Sequence, residues 1–140
     1  MWVRRVMRWL LALAYLGAGY LHLRSPEPFL TITPGWVPFP EAVIRFTGVA
    51  EILGAVGLMS RHTRRAAGVG LALYALCVWP ANIKHMLDGP DIAALGSDLY
   101  YHVPRMVLQP VLIWWALFCS GVTSWPFTRR PSAPLGGGRR

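Results

Sequence analysis

Charge is scarce in this chain, and negative charge scarcest of all. Of 140 residues, 14% are charged and six are acidic: Glu27, Glu41, Glu51, Asp88, Asp91 and Asp98. A soluble domain of this size carries about a quarter charged residues, so an ordinary solvated shell is not expected. Cysteine is sparse too. Cys77 and Cys119 both fall inside apolar stretches, and no CxxC pair occurs. That excludes a disulfide framework and argues against thiol–disulfide chemistry run on the chain's own cysteines. The four histidines form no HxxxH or HExxH pair, so no local spacing supports a metal or haem centre, and none is expected.

What is present is apolar. Hydrophobic residues make up 54% of the chain, and the mean hydropathy is +0.39. Four apolar segments stand out, about residues 6–23, 42–59, 66–87 and 103–122. Each approaches the roughly 20 residues that a bilayer-spanning helix needs. The formal charge of +8 is concentrated in three arginine clusters: Arg4, Arg5 and Arg8; Arg61, Arg64 and Arg65; and Arg129, Arg130, Arg139 and Arg140. These fall at the start, after the second segment and at the end. Such alternation orients a four-helix membrane bundle with both termini and the middle loop in the cytoplasm. Nucleic acid is rejected as a partner, because the charge brackets apolar segments and does not line one polar face. Anionic lipid is the more natural neighbour.

The first segment has the outline of a signal peptide, with a basic start and small residues at Ala18 and Gly19. The charge alternation works only if it spans, so a retained helix is expected. Small residues recur at Ala14 and Ala18, Ala50 and Gly54, and Gly68 and Ala72. That spacing lets helix backbones approach, and packing explains it without any chemistry. The loop from Arg24 to Pro40 holds five prolines, which argues against a regular helix there. Its Phe29, Trp36 and Phe39 suggest a lid at the outer surface, with aromatics at headgroup level. The second outer loop, Asp88 to Tyr101, is acidic. Tyr100 and Tyr101, and Trp2, Trp9 and Trp125 at the other face, suit interface anchors. The chain thus divides into a membrane domain, residues 1–124, and a Pro/Gly-rich basic tail, residues 125–140, expected to be disordered and cytoplasmic.

Within that orientation the remaining polar residues are one-sided. His22, Arg24, Arg45, Asn82, Lys84, His85, His102, Arg105 and Gln109 all lie toward the outer half. Polar groups in membrane segments are costly and usually face a bundle interior or a wet cavity. Glu51 is the most telling. It sits roughly 15 Å along its helix, at 1.5 Å per residue, too deep to reach the surface. It must be protonated, paired or solvated. His102, Arg105 and Gln109 share one face of the fourth segment and are its expected partners. A buried pair that only fixes helix register is the competing explanation. Arg45 and Lys84 are expected at the lipid headgroups. Pro80, just before Asn82, removes a backbone donor and marks a bend, either a binding notch or a packing kink.

Several of these residues carry a resemblance. The run GYLHLRSPEPFLTITPGW from Gly19, GVAEILGAVGLM from Gly48, WPANIKHM from Trp79 and LQPVLIW from Leu108 resemble the DoxX-like family of small bacterial membrane proteins. The likeness covers about residues 6–117. It rests on His22, Pro28, Phe29, Pro34 and Trp36, on Gly48 and Glu51, on Pro80, Ala81 and Asn82, and on Gln109. It implies a four-helix membrane bundle and a redox or detoxification setting, with links to quinones, thiosulfate oxidation and oxidative stress. It supplies no catalytic residues.

The expected protein is therefore an all-α, multi-pass protein of the bacterial plasma membrane with an outward-facing polar pocket. His22, Glu51, Asn82, Arg105 and Gln109 are the candidate ligand-binding residues. A quinone-like molecule is the expected ligand, held by Arg105 and Gln109, with Glu51 tuning or exchanging a proton. No residue carries electrons and no catalytic motif is visible, so any enzymatic role is that of a subunit in a membrane oxidoreductase, with a soluble or membrane redox partner. The alternative is a non-enzymatic membrane scaffold or assembly factor. An ion carrier is disfavoured by the bare cytoplasmic half.

Overall fold

The computed structural model describes residues 2–88 and 98–127. The described residues are helical, with no strand among them: α1 (Trp2–Arg24), α2 (Glu27–Ile32), α3 (Pro40–Met59), α4 (Arg64–Asp88) and α5 (Asp98–Ser120). The four long helices close into a ring, α1 packing on α3 and α5, and α4 on α3 and α5. The short α2 caps one end against α3 and α4.

Two boundaries differ from the sequence reading. A helix does form in the proline-rich loop. Pro26 and Pro28 sit at the start of α2, where the missing amide would be unpaired in any case and the fixed φ suits the first turn. The fourth long helix starts at Asp98, so Tyr100 and Tyr101 belong to it and not to a loop. Among the described residues, α1 and α3 are the helices long and apolar enough, by length and composition, to cross a membrane, and 106–120 form a shorter apolar stretch. Residues 128–140, the bulk of the expected tail, and 89–97 of the second outer loop lie outside the described residues.

Small residues set the helix crossings. A Cβ on Gly54 would strike Leu71 of α4, and one on Gly68 would strike Ser120 and the Ala116 backbone of α5. Gly19 and Gly48 abut across α1 and α3. Such contacts leave no room for side chains and bring backbones together. α5 ends in a Schellman turn: Val122 N–H donates to the Leu117 carbonyl (3.0 Å) and Gly121 N–H to that of Phe118 (3.2 Å). Gly121 has φ +83°, a conformation that glycine adopts without strain.

The apolar core is Leu11, Ala12, Tyr15, Ala55, Leu58, Leu71, Ala72, Ala116 and Cys119. These residues come from the early parts of α1 and α4 and the late parts of α3 and α5. They fill the half of the ring nearest the arginine-rich ends. Trp115 Nε1 donates to the Met7 carbonyl at 2.9 Å, tying α5 to α1. The outer surface is apolar as well: Leu13, Leu16 and Tyr20 on α1, Phe46, Leu53 and Val56 on α3, Leu73 and Leu76 on α4, and Val107 and Val111 on α5 are exposed. The buried polar side chains, Glu51, Asn82, Gln109 and Ser120, lie inside.

Candidate functional site

Above the packed core the helices part around a cavity of about 390 Å³. Its wall follows helical periodicity. α1 contributes Leu11, Ala14, Tyr15, Ala18 and His22; α4 contributes Tyr74, Ala75, Val78 and Asn82; α5 contributes Leu108, Gln109 and Leu112. Each set recurs at three- and four-residue steps, one face of a helix. α3 contributes Glu51, and α2 adds Phe29 and Ile32. Ala14 and Ala18 matter here because small side chains leave volume.

Glu51 is 4% exposed. Its Oε2 lies 3.1 Å from His22 Nδ1, yet it has no aligned hydrogen bond among the described residues. The reason is local. His22 Nδ1 also lies 2.8 Å from the Ala18 carbonyl, one turn back on α1. A carbonyl only accepts, so Nδ1 carries the hydrogen and directs it along the helix. The carboxyl sits beside that donor without receiving it squarely. The neutral ring is thereby fixed as the Nδ1–H tautomer, and Nε2 is left as an acceptor. Phe29 of α2 stacks on the imidazole, with ring centroids 3.9 Å apart and planes 20° apart.

Tyr15 stands two turns deeper than His22 on α1. It is buried and its hydroxyl has no hydrogen-bond partner among the described residues. Its ring meets that of Tyr74 edge-on, with centroids 6.3 Å apart. Tyr74 in turn faces Glu51 and Thr47. Two buried polar atoms, Tyr15 Oη and Glu51 Oε2, thus belong to residues lining one cavity and make no hydrogen bond among the described residues, although Oε2 lies beside His22. Buried polar groups are normally paired, so these two have donor and acceptor capacity to offer a ligand.

Of the five residues singled out from sequence, His22, Glu51, Asn82 and Gln109 line this cavity. The side chain of Arg105 lies outside the described residues, as do those of Lys84, His85 and His102. One contact of Glu51 comes from His22 on α1; of the partners expected on α5, Gln109 lines the same cavity, and the side chain of His102, like that of Arg105, lies outside the described residues. Arg45 is exposed and away from the cavity. Phe29 is among the positions that carry the family resemblance, whereas Tyr15 and Tyr74 do not stand out from sequence as binding residues. Tyr15 and His22 are seven apart, Tyr74 and Asn82 eight apart, so the face marked by each polar residue also carried a tyrosine. Among the described residues, no group of three or more His, Cys, Asp or Glu is placed to hold a metal ion.

Fold and site together define an all-helical protein whose four long helices enclose an apolar-walled cavity with a few convergent polar groups. The chain belongs to the family described as a domain of unknown function (DUF8561), whose model matches residues 11–120. No curated protein and no solved structure matches it.

Proposed function

We propose that the chain is a four-helix integral membrane protein whose cavity binds a quinone-like molecule, a small polar-headed apolar ligand. The membrane reading is supported by an inverted distribution of polarity. Apolar side chains cover the outside and carboxyl, amide and phenol groups lie within, the arrangement hydrocarbon surroundings favour. In the apolar windows of α1 and α3 only 22% and 28% of residues are buried, far less than in the core helix of a soluble protein. α1 packs into the ring through Leu11, Ala12, Tyr15 and Gly19, which supports a retained helix over a removed leader. The arginine clusters then put both termini and the α3–α4 turn in the cytoplasm of a bacterial cell, and the cavity faces outward.

The ligand reading is carried by one observation: the Tyr15 hydroxyl and Glu51 Oε2, both buried and neither hydrogen-bonded among the described residues, belong to residues that line the same cavity. Its volume falls in the usual range for ligand sites, roughly 300–1,000 Å³. A quinone head offers two carbonyl acceptors on a flat apolar ring. Tyr15 and the Gln109 amide can donate to such oxygens. Glu51 beside His22 can hold or exchange a proton at the ligand. Arg105, one turn before Gln109 on α5, would add a charge-assisted donor. The positions that carry the DoxX-like resemblance, His22, Phe29, Glu51, Asn82 and Gln109, gather on this cavity, which favours a related redox or detoxification setting. The chain would act as a binding subunit, with electrons supplied by the quinone and a membrane or soluble partner.

The test is binding of a short-tailed benzoquinone to protein purified in mild detergent, together with mass spectrometry of copurified small molecules. Wild type should bind and carry quinone-like material, and Glu51→Gln should bind at least tenfold more weakly while remaining folded. Equal binding by both forms, or repeated absence of any such molecule from gently extracted protein, would remove the ligand reading. A protein partner copurifying equally with both would then favour a scaffold.

A further inference from the structure

A second cavity, about 1010 Å³, opens at the other end of the helices. Arg4 and Arg8 of α1 meet Arg61 and His62 of the α3–α4 turn, and Arg64 and Arg65 at the start of α4, around it. Among the described residues no acid lines it; the chain's six acids all lie at residues 27–51 and 88–98.

Three of the arginines are anchored by the fold. Arg8 Nε donates to the Cys119 carbonyl at 3.1 Å, and Arg64 Nε to that of Leu58 at 3.4 Å. Arg4 donates through a terminal nitrogen to the Thr123 carbonyl at 3.1 Å and lies over the Phe118 ring, 4.5 Å from its centroid. Bonding through Nε leaves the terminal nitrogens of Arg8 and Arg64 uncommitted to those carbonyls. The ends of α3 and α5 each bring about half a negative charge. Two halves do not offset five guanidinium groups. A planar fork held in place among like charges is the arrangement that recognises phosphate.

We infer that this cavity binds the headgroup of an acidic phospholipid, its phosphate held between the α1 arginines and those of the α3–α4 turn and the start of α4. A free phosphate shares that chemistry, but the surroundings favour an amphiphile. Val3, Phe118 and Phe127 share the lining with the arginines, and Trp2, Val3, Trp125 and Phe127 are exposed at the same end. Apolar chains therefore have a surface to follow away from the charged pocket. The inference rests on the membrane reading and not on the ligand of the first cavity.

The test compares wild type with the double variant Arg61→Gln, Arg65→Gln. Both residues are exposed on the pocket's lip, so their loss spares the anchoring bonds of Arg4, Arg8 and Arg64. Binding to the full chain in neutral detergent is read by native mass spectrometry and by thermal shift. The probes are phosphatidylglycerol, phosphatidylcholine, inorganic phosphate and a poly-glutamate peptide. Phosphatidylglycerol should bind wild type at least tenfold more tightly than zwitterionic phosphatidylcholine, and the double variant should lose most of that preference. Equal binding of the two lipids, or equal phosphatidylglycerol binding by both proteins, overturns the site. Protection by phosphate alone or by the peptide that equals the lipid's overturns the lipid assignment. A chain that stays folded and dispersed without detergent overturns the membrane premise itself.

Discussion

Gly19 of α1 and Gly48 of α3 touch backbone to backbone, and that contact places the carboxyl–imidazole pair. A Cβ on Gly19 would lie 2.6 Å from the Gly48 carbonyl oxygen, and one on Gly48 would lie 3.0 Å from that of Gly19. The helices run in opposite directions. A Cβ on Gly19 would also lie 3.3 Å from Glu51 Cβ, and one on Gly48 would lie 2.9 Å from His22 Cβ, so each glycine faces the other helix's polar residue. The side chains of Glu51 and His22 reach across the same narrow gap, 3.1 Å apart.

Gly19→Ala should consequently disturb the site as well as the packing. The added methyl meets backbone, which cannot rotate away, so the helices must separate. Overpacking of this kind costs about 1–3 kcal/mol. Gly17→Ala is the control, because nothing lies within 4 Å of its Cβ. Alanine there should be neutral or stabilise by up to about 1 kcal/mol. Unfolding in detergent measures both. Equal stability of the two variants would show that the crossing yields easily.

The polar residues of the cavity were legible because each interrupts an apolar run, where His, Glu, Asn and Gln stand out. The tyrosines were not, since Tyr15 and Tyr74 suit a core or an interface equally well. His22 does not stand out from sequence as a neighbour of Glu51, and the reason is geometric. Helical rise fixes how deep a residue lies, but not which neighbouring helix it faces. The Gly19 and Gly48 pair carries that information, and only when the two are read as facing each other. α2 was missed because prolines were weighed as breakers, although Pro26 and Pro28 stand where helices begin.

Tyr15→Phe separates a functional hydroxyl from a structural one. The oxygen is buried without a hydrogen bond among the described residues. Removing an unsatisfied buried group relieves a desolvation cost of about 1–3 kcal/mol, less whatever a mobile water restores. Ligand-free protein should therefore gain about 1 kcal/mol in unfolding free energy. Affinity for a benzoquinone should fall. A variant that is less stable than wild type would mean the hydroxyl holds the fold.

Arg8 and Arg5 should differ sharply although they are three residues apart. Arg8 reaches the Cys119 carbonyl in the last turn of α5, whereas Arg5 is exposed. A charged hydrogen bond to a helix C-terminus contributes about 1.5–3 kcal/mol when buried. Partial exposure and relief of repulsion from Arg4 and Arg64 reduce that. Arg8→Ala should cost about 1 kcal/mol, and Arg5→Ala should fall within about 0.5 kcal/mol of wild type. Thermal unfolding in detergent distinguishes them; identical curves would show that the Cys119 carbonyl is served equally well by solvent.

The orientation of the chain can be read from two positions joined by one helix. Trp36 precedes α3 and is 70% exposed, and His62 follows it, exposed between Arg61 and Arg64. In a chain without its native cysteines, replaced by alanine, Trp36→Cys and His62→Cys become reporters for a membrane-impermeant maleimide. Replacing both, Cys77 in the middle of α4 and the buried Cys119, leaves each reporter as the chain's single thiol. If arginines hold the α3–α4 turn in the cytoplasm, residue 36 should label in intact cells and residue 62 only in inverted vesicles. The reverse pattern would turn the protein over and make the first cavity face inward. Labelling of both from one side would mean that α3 does not span, and the polar cavity would then need water, not hydrocarbon, around it.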